Sequence, residues 1–273
     1  MALLDANKRP GSWLTRWLWP SPLVLGLLLA ACQAGGGSQS TNSPGASSSS
    51  KPISNATEST LPSGCTDNAP CKFAAGQYRI GDSGVIPGLQ LTLPAGWSSV
   101  ESDQGELNLV PPGQPDERLF FWLDMVAVKS TGPGHGTTIL KNVGKSPKAL
   151  ITWLTDNRDF LVTAPSSKAT IGGVPMQALT VGVSRSAQYG DPGCPANPRC
   201  ADLFTNPTYW GTNFYGIGGE EEAALYLGTI RTSSGPQTMI VALDAPNHAD
   251  LARLSTAARP IIESVRLPAA ARP

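Results

Sequence analysis

One stretch near the start constrains everything behind it. An uninterrupted apolar run, Leu23–Ala31, ends in two alanines and meets a cysteine, Cys32. Lys8, Arg9 and Arg16 precede it, the basic-then-apolar order of an export signal. A helix that crosses a bilayer needs ~20 apolar residues, and this run falls well short of that. No later segment is apolar enough to span a membrane either. Trp13, Trp17, Trp19, Pro20 and Pro22 blur where the apolar region begins, not where it ends. The chain is therefore expected to fold downstream of the cysteine, outside the cytoplasm.

The quartet Leu29-Ala30-Ala31-Cys32 resembles a bacterial lipobox. That resemblance implies a lipoprotein signal peptide over 1–31, removed by a peptidase that needs small side chains beside the cut. It also implies acyl chains on Cys32 and a tether to the outer face of the cytoplasmic membrane or to the outer membrane. Acyl chains bind at ~0.8 kcal/mol per buried methylene, so several together hold firmly. A secretory signal cut after Ala31 without lipid is the rival, and it shares the exported address. A buried core helix with an incidental cysteine is the bland alternative, but the stretch after Cys32 is not domain-like. From Gln33 to about Ser63 the chain is Gly, Ser, Thr, Asn and Pro. Too few apolar groups are present to offset the entropy of ordering. Residues 32–64 read as a disordered tether, and 65–273 as a single domain.

Formal charge is zero, from 20 basic and 20 acidic residues, so nothing marks a nucleic-acid partner. The 29 glycines and 25 prolines favour a domain with many turns. There are five cysteines. Lipid on Cys32 leaves an even set of four. Cys65 and Cys71 share a C-x5-C spacing with Cys194 and Cys200. Four cysteines allow three connectivities, and short loops close readily, which favours Cys65–Cys71 and Cys194–Cys200. A four-cysteine zinc site is the rival, against which stand the five-residue spacers and the oxidising compartment.

Tyr78–Ile80, Leu89–Leu93 and Leu107–Val110 read as strands. Leu119–Val128 is almost continuously apolar and β-prone, the pattern of one central strand buried on both faces, with Asp124 in need of a partner or a bulge. Ser146-Pro147 opens a helix to about Asn157, with Leu150, Trp153 and Leu154 on its apolar face. Lys168–Ile171, Gly172-Gly173 and Val174–Ser184 form a hairpin. Gln188 to Asn213 reads as a long Pro/Gly/Cys-rich loop. Phe214–Ile217, Ala223–Ile230 and Thr238–Leu243 are further strands, and Asn247 caps a last helix that Pro260 should kink or at which it should start a new turn. Ser264–Leu267 would be a closing strand. Strands, helix, hairpin, strands, helix, with short connections, argue an α+β fold: an antiparallel sheet flanked by helices.

Leu89-Gln90-Leu91-Thr92-Leu93-Pro94-Ala95-Gly96-Trp97 resembles the opening of Mog1/PsbP-like domains, and Ala258–Leu267 resembles their closing helix and strand. The resemblance implies an α/β/α sandwich used in binding and scaffolding, and it brings no catalytic residues with it.

Gly81-Asp82-Ser83-Gly84 copies the tetrapeptide around the trypsin-like serine nucleophile. That family runs histidine, aspartate, serine along the chain, whereas both histidines here, His135 and His248, follow Ser83. A polar turn is the simpler reading. Two histidines are few for metal chemistry. Glu220-Glu221-Glu222 suits a hard cation, but a solvated acidic turn is commoner. No phosphate-binding G-x-x-x-x-G-K-[ST] occurs, and no cofactor is expected. The best candidate is the cysteine-bearing loop with its aromatic exit: Phe204, Tyr209, Trp210 and Tyr215 as a binding surface. The competing reading puts those aromatics in the core. The chain is thus expected to be a membrane-anchored, non-enzymatic binding or scaffolding protein. The alternative is an exported hydrolase with an unrecognised site.

Overall fold

Turn residues cut this chain into many short strands, and the computed structural model describes residues 58–102, 105–130, 137–187, 199–211 and 214–272 of it. All belong to the unit Ala56–Pro273. The expected signal peptide, Cys32, most of the tether, His135 and Cys194 lie outside the described residues.

In chain order the strands are β1 Ser59–Thr60, β2 Cys71–Lys72, β3 Gly76–Arg79, β4 Gln90–Leu93, β5 Ser98–Ser102, β6 Glu106–Val110, β7 Arg118–Leu123, β8 Val126–Ser130 and β9 Thr137–Ile139. Helix α1, Pro147–Asp156, follows. Then β10 Phe160–Ile171, β11 Val174–Val183, β12 Cys200–Thr205, β13 Tyr215–Gly218, β14 Glu222–Thr232 and β15 Gly235–Ala245 lead into helix α2, His248–Ser264. Eight strands form the main sheet in the order β10-β11-β14-β15-β7-β6-β5-β2. A sheet β1-β3-β4 and a sheet β13-β12-β8-β9 accompany it. Pairing is antiparallel except between β1 and β3. The fold is α+β, mostly antiparallel sheet with two helices.

Local signals explain several elements. The hairpin β10–β11 turns on Gly172 and Gly173, with φ of 60° and 84°. Two positive φ angles suit the twist of the flanking strands, and glycine adopts them without strain. Ser146 caps α1 by accepting from Ala149 N at 3.3 Å, and Pro147 occupies the first turn. Asn247 caps α2 through Asp250 N at 3.0 Å.

Four expectations need correction. Leu119–Val128 is not one strand. Asp124 has φ 55° and its carboxylate meets Lys145 Nζ at 2.7 Å. The chain turns there: β7 stays in the main sheet and β8 joins the four-stranded one. Apolar continuity hid a change of sheet. Nor is Gln188–Asn213 all loop, because Cys200–Thr205 is the fully buried β12. Pro260 lies inside α2, which runs on to Ser264 without starting a separate turn. Its missing N–H removes one helical bond, and burial of Ala258 and Ile261 holds the helix on the sheet. Ser264–Leu267 forms no strand, only a single bridge between Arg266 and Gln90. The fold also starts earlier than Cys65: Ser59 and Thr60 pair with Tyr78 and Arg79, and Leu61 is buried.

Side chains alternate across a strand, and here both faces of the main sheet are covered. Leu119 and Phe121 of β7, with Met239, Val241 and Leu243 of β15, pack on α2 through Leu251, Leu254, Ala258 and Ile261. Phe120 and Trp122, with Ile240 and Ala242, pack on α1 through Leu150, Ile151 and Leu154, and on β12 and β13. One edge strand, β10, carries Pro165 and two register shifts. The other, β2, is two residues long, and the Cys65–Cys71 disulfide ties it to the preceding turn. Among the described residues no helix is long and apolar enough to cross a membrane.

Candidate functional site

The aromatic candidates divide by burial. Phe204 is 0% exposed and Tyr215 8%, so both are core residues rather than surface. They surround Trp122, whose ring centroid lies 4.8 Å from Tyr215, 6.4 Å from Phe204 and 4.6 Å from Phe120. Trp122 Nε1 donates to Glu106 Oε2 at 2.9 Å, which gives this buried acid a fixed donor. Trp210 is half-buried and meets Trp122 edge-on at 6.0 Å. It lies so close over Gly105 that a Cβ there would sit 2.7 Å from its Nε1. Tyr209 alone of the four is exposed, at 51%.

A buried asparagine fixes this aromatic turn. Asn206 follows β12, donates from Nδ2 to Leu123 O at 3.0 Å, and accepts from Thr208 N at 3.0 Å and Tyr209 N at 3.3 Å. Asparagine here mimics a backbone turn with its own side chain. Tyr209 is therefore displayed on a rigid support.

Ser83 lines a small cavity of about 120 Å³ with Thr60, Ser63, Glu106 and an apolar wall that includes Ile80 and Val85. Drug-sized ligands need ~300 Å³ or more, so this space suits a few heavy atoms. No histidine lines it. His248 is 83% exposed at the start of α2, its Nδ1 2.9 Å from Glu222 Oε2. Ser83 and His248 are thus not brought together. Gly81–Gly84 is a turn, as its polarity suggested.

A buried acid, Asp244, lies near that turn of three glutamates. Glu220 is exposed, Glu222 is half-buried and faces His248, and Glu221 is half-buried. Its Oε2 accepts from Gly218 N at 2.8 Å, and its carboxyl is close enough to Asp244 for the two charges to oppose each other. Asp244 is 2% exposed on the central strand β15, in register with Arg118 of β7. Burial pushes Asp244 up to about 7, with the Glu221 hydrogen bond and then Arg118 opposing. Burial and then the Asp244 charge raise Glu221 well above the usual carboxyl range. Tyr215 rises for the same two reasons. Tyr215 Oη and Asp244 Oδ1 have no partner at hydrogen-bond geometry. The one hint was an acid, Asp244, inside an otherwise apolar run. Among the described residues no group of three His, Cys, Asp or Glu side chains is placed to hold a metal ion.

No protein-family model matches the sequence, and no curated protein does. A solved structure is similar: that of LpqN, described as involved in cell envelope biogenesis of Mycobacterium tuberculosis. The identity is 17%, over 71% of this chain and 91% of that one, with a TM-score of 0.36. At that score the two proteins are not shown to share a function.

Proposed function

We propose that this chain is an exported lipoprotein, anchored through Cys32, whose domain binds a protein or small ligand without catalysing a reaction. The Cys65–Cys71 disulfide carries the proposal. Disulfides persist outside the reducing cytoplasm, and this one opens a domain that comes after a signal-like segment. Cys200 is disulfide-bonded as well. With Cys32 lipidated, Cys194 is the cysteine left to complete that bridge. Bound zinc at one equivalent would defeat this assignment.

A Mog1/PsbP-like sandwich is the finer fold we assign. The two stretches that carry that resemblance lie side by side. Gln90 and Arg266 exchange backbone hydrogen bonds at 2.9 and 2.8 Å, and Ser264 Oγ accepts from Thr92 N at 2.7 Å. Binding is assigned to the turn that displays Tyr209, since an exposed aromatic on a rigid support loses little entropy on contact.

Cys32→Ala tests the anchor. The wild type is expected at mature size in the detergent phase after phase partition, and the variant uncleaved and without lipid label. A variant of mature size that still partitions with detergent would show the lipobox reading to be wrong. For binding, Tyr209→Ala should weaken a partner captured by the soluble domain while leaving the melting temperature unchanged.

A further inference from the structure

We propose that the cavity beside the turn Gly81–Gly84 is a binding site for the short alkyl end of an uncharged amphiphile, of which a small alcohol is the simplest case.

Residues from three distant segments, 60–63, 80–85 and 106–107, meet around this space. Its floor is apolar. Leu61, Ile80, Val85 and Leu107 are exposed at 7%, 4%, 3% and 1%, and all four belong to the core under α2. Its rim is polar, with Thr60, Ser63 and Ser83 exposed. The tetrapeptide around Ser83 thus forms one side of the opening. Gly84 N donates to Gly81 O at 3.1 Å, which folds that side into a tight turn. Neither glycine has a positive φ, so backbone conformation does not require them. Packing requires one of them: a Cβ on Gly84 would run into Ile80 Cγ2. The missing side chain lets Ile80 reach the turn and complete the floor.

Size and charge together select the ligand. Protein interiors keep few voids larger than a water molecule. This one measures about 120 Å³. An apolar cavity of ~150 Å³ takes up a ring of six carbons, so there is room here for about six heavy atoms. No lysine, arginine or histidine is among its lining residues. The acid among them is Glu106, whose Oε2 accepts from Trp122 Nε1 at 2.9 Å on the α1 face. Neighbours on a strand point to opposite faces, so Leu107 and not the Glu106 carboxylate supplies the floor from β6. An anion would meet no cation in this space, and an ammonium no acid turned toward it. A hydroxyl both donates and accepts, as the rim hydroxyls do. An aliphatic stem on the floor with a hydroxyl at the opening therefore matches both halves of the site. The cavity shares no residue with the turn that displays Tyr209, so either assignment can fail alone.

The test follows the methyl resonances of the full chain while primary alcohols are titrated in. Butanol should shift the Leu61, Ile80, Val85 and Leu107 methyls saturably. Affinity should rise about fourfold per methylene from ethanol to butanol, as for buried hydrocarbon, and level off beyond hexanol, when the space is full. Butyrate and butylammonium should bind roughly tenfold more weakly than butanol, since each carries a charge that the site does not pair. Val85→Phe, which brings a ring into the space, should abolish the shifts of the other three residues. Lack of saturable shifts, an affinity that keeps climbing past hexanol, charged analogues that bind as tightly as butanol, or undiminished binding to Val85→Phe would each overturn the site. If Val85→Phe does not fold, the chain-length series and the charged analogues on the unmodified chain still decide.

Discussion

Under α2 the main sheet buries Leu119, Phe121, Val241 and Leu243 against Leu251, Leu254 and Ile261, and its buried acid, Glu117, sits at the rim paired with Arg253. Under α1 and β12 the same strands bury Phe120 and Trp122 together with Glu106, Asp244 and the Thr238 hydroxyl, which donates to Lys145 O at 2.6 Å. Neighbouring residues of β7 and β15 thus supply an oily face and a polar one. Apolar burial is non-directional and degrades gradually. Buried polar groups must be satisfied one by one, and each loss is felt fully. Sensitivity to single changes and to pH should therefore concentrate on the α1 face.

Two neighbours on β7 test this most severely. Phe121→Ala should cost ~3–5 kcal/mol by leaving a cavity on the α2 face. Trp122→Ala should cost that and, on the order of 1–3 kcal/mol, the loss of the donor to buried Glu106. Urea unfolding compares them, and equal costs would break the contrast. Proton linkage comes next in size. A carboxyl whose folded value is raised binds its proton in the native state after the unfolded chain has released its own, so stability falls as pH rises. With Asp244 moved from 3.8 to about 7, the domain should lose up to about 4 kcal/mol between pH 4 and 8. Asp244→Asn should flatten the curve. A wild-type curve that climbs over this range would refute the assignment.

Smaller effects sharpen the contrast from outside both faces. Cys65→Ser with Cys71→Ser should cost about 2 kcal/mol, since the bridged loop is short, and should leave the pH dependence intact. Leu161→Ser on the exposed edge strand should shift stability by less than about 0.5 kcal/mol. A larger loss would mean that Leu161 itself is packed rather than exposed.

Where the sequence was legible, a single residue fixed a single local event. Gly172-Gly173 marked the hairpin, and Ser146 and Asn247 marked the helix starts. It was illegible where a partner distant in the chain decided the outcome. Nothing in LFFWLDMVAV says that Asp124 will adopt a positive φ opposite Lys145, so two strands read as one. β12 was missed because Asp202 and Thr205 interrupt its apolar pattern, though both are buried. Phe204 and Tyr209 look alike in sequence, and only Asn206 bonding across to Leu123 settles which is displayed. Glu221 read as a solvated acid because Asp244 lies more than twenty residues ahead of it.

The two borders of the main sheet bear on how copies of this protein meet. A strand border offers unpaired amide groups to any neighbour that can align with it. Here Pro165 and two slips of register interrupt one border, and the other is a two-residue stub clamped by a sulfur bridge. Neither offers a long straight ladder. Long ladders of that kind let one copy extend the sheet of the next, and both borders of this sheet are trimmed against it.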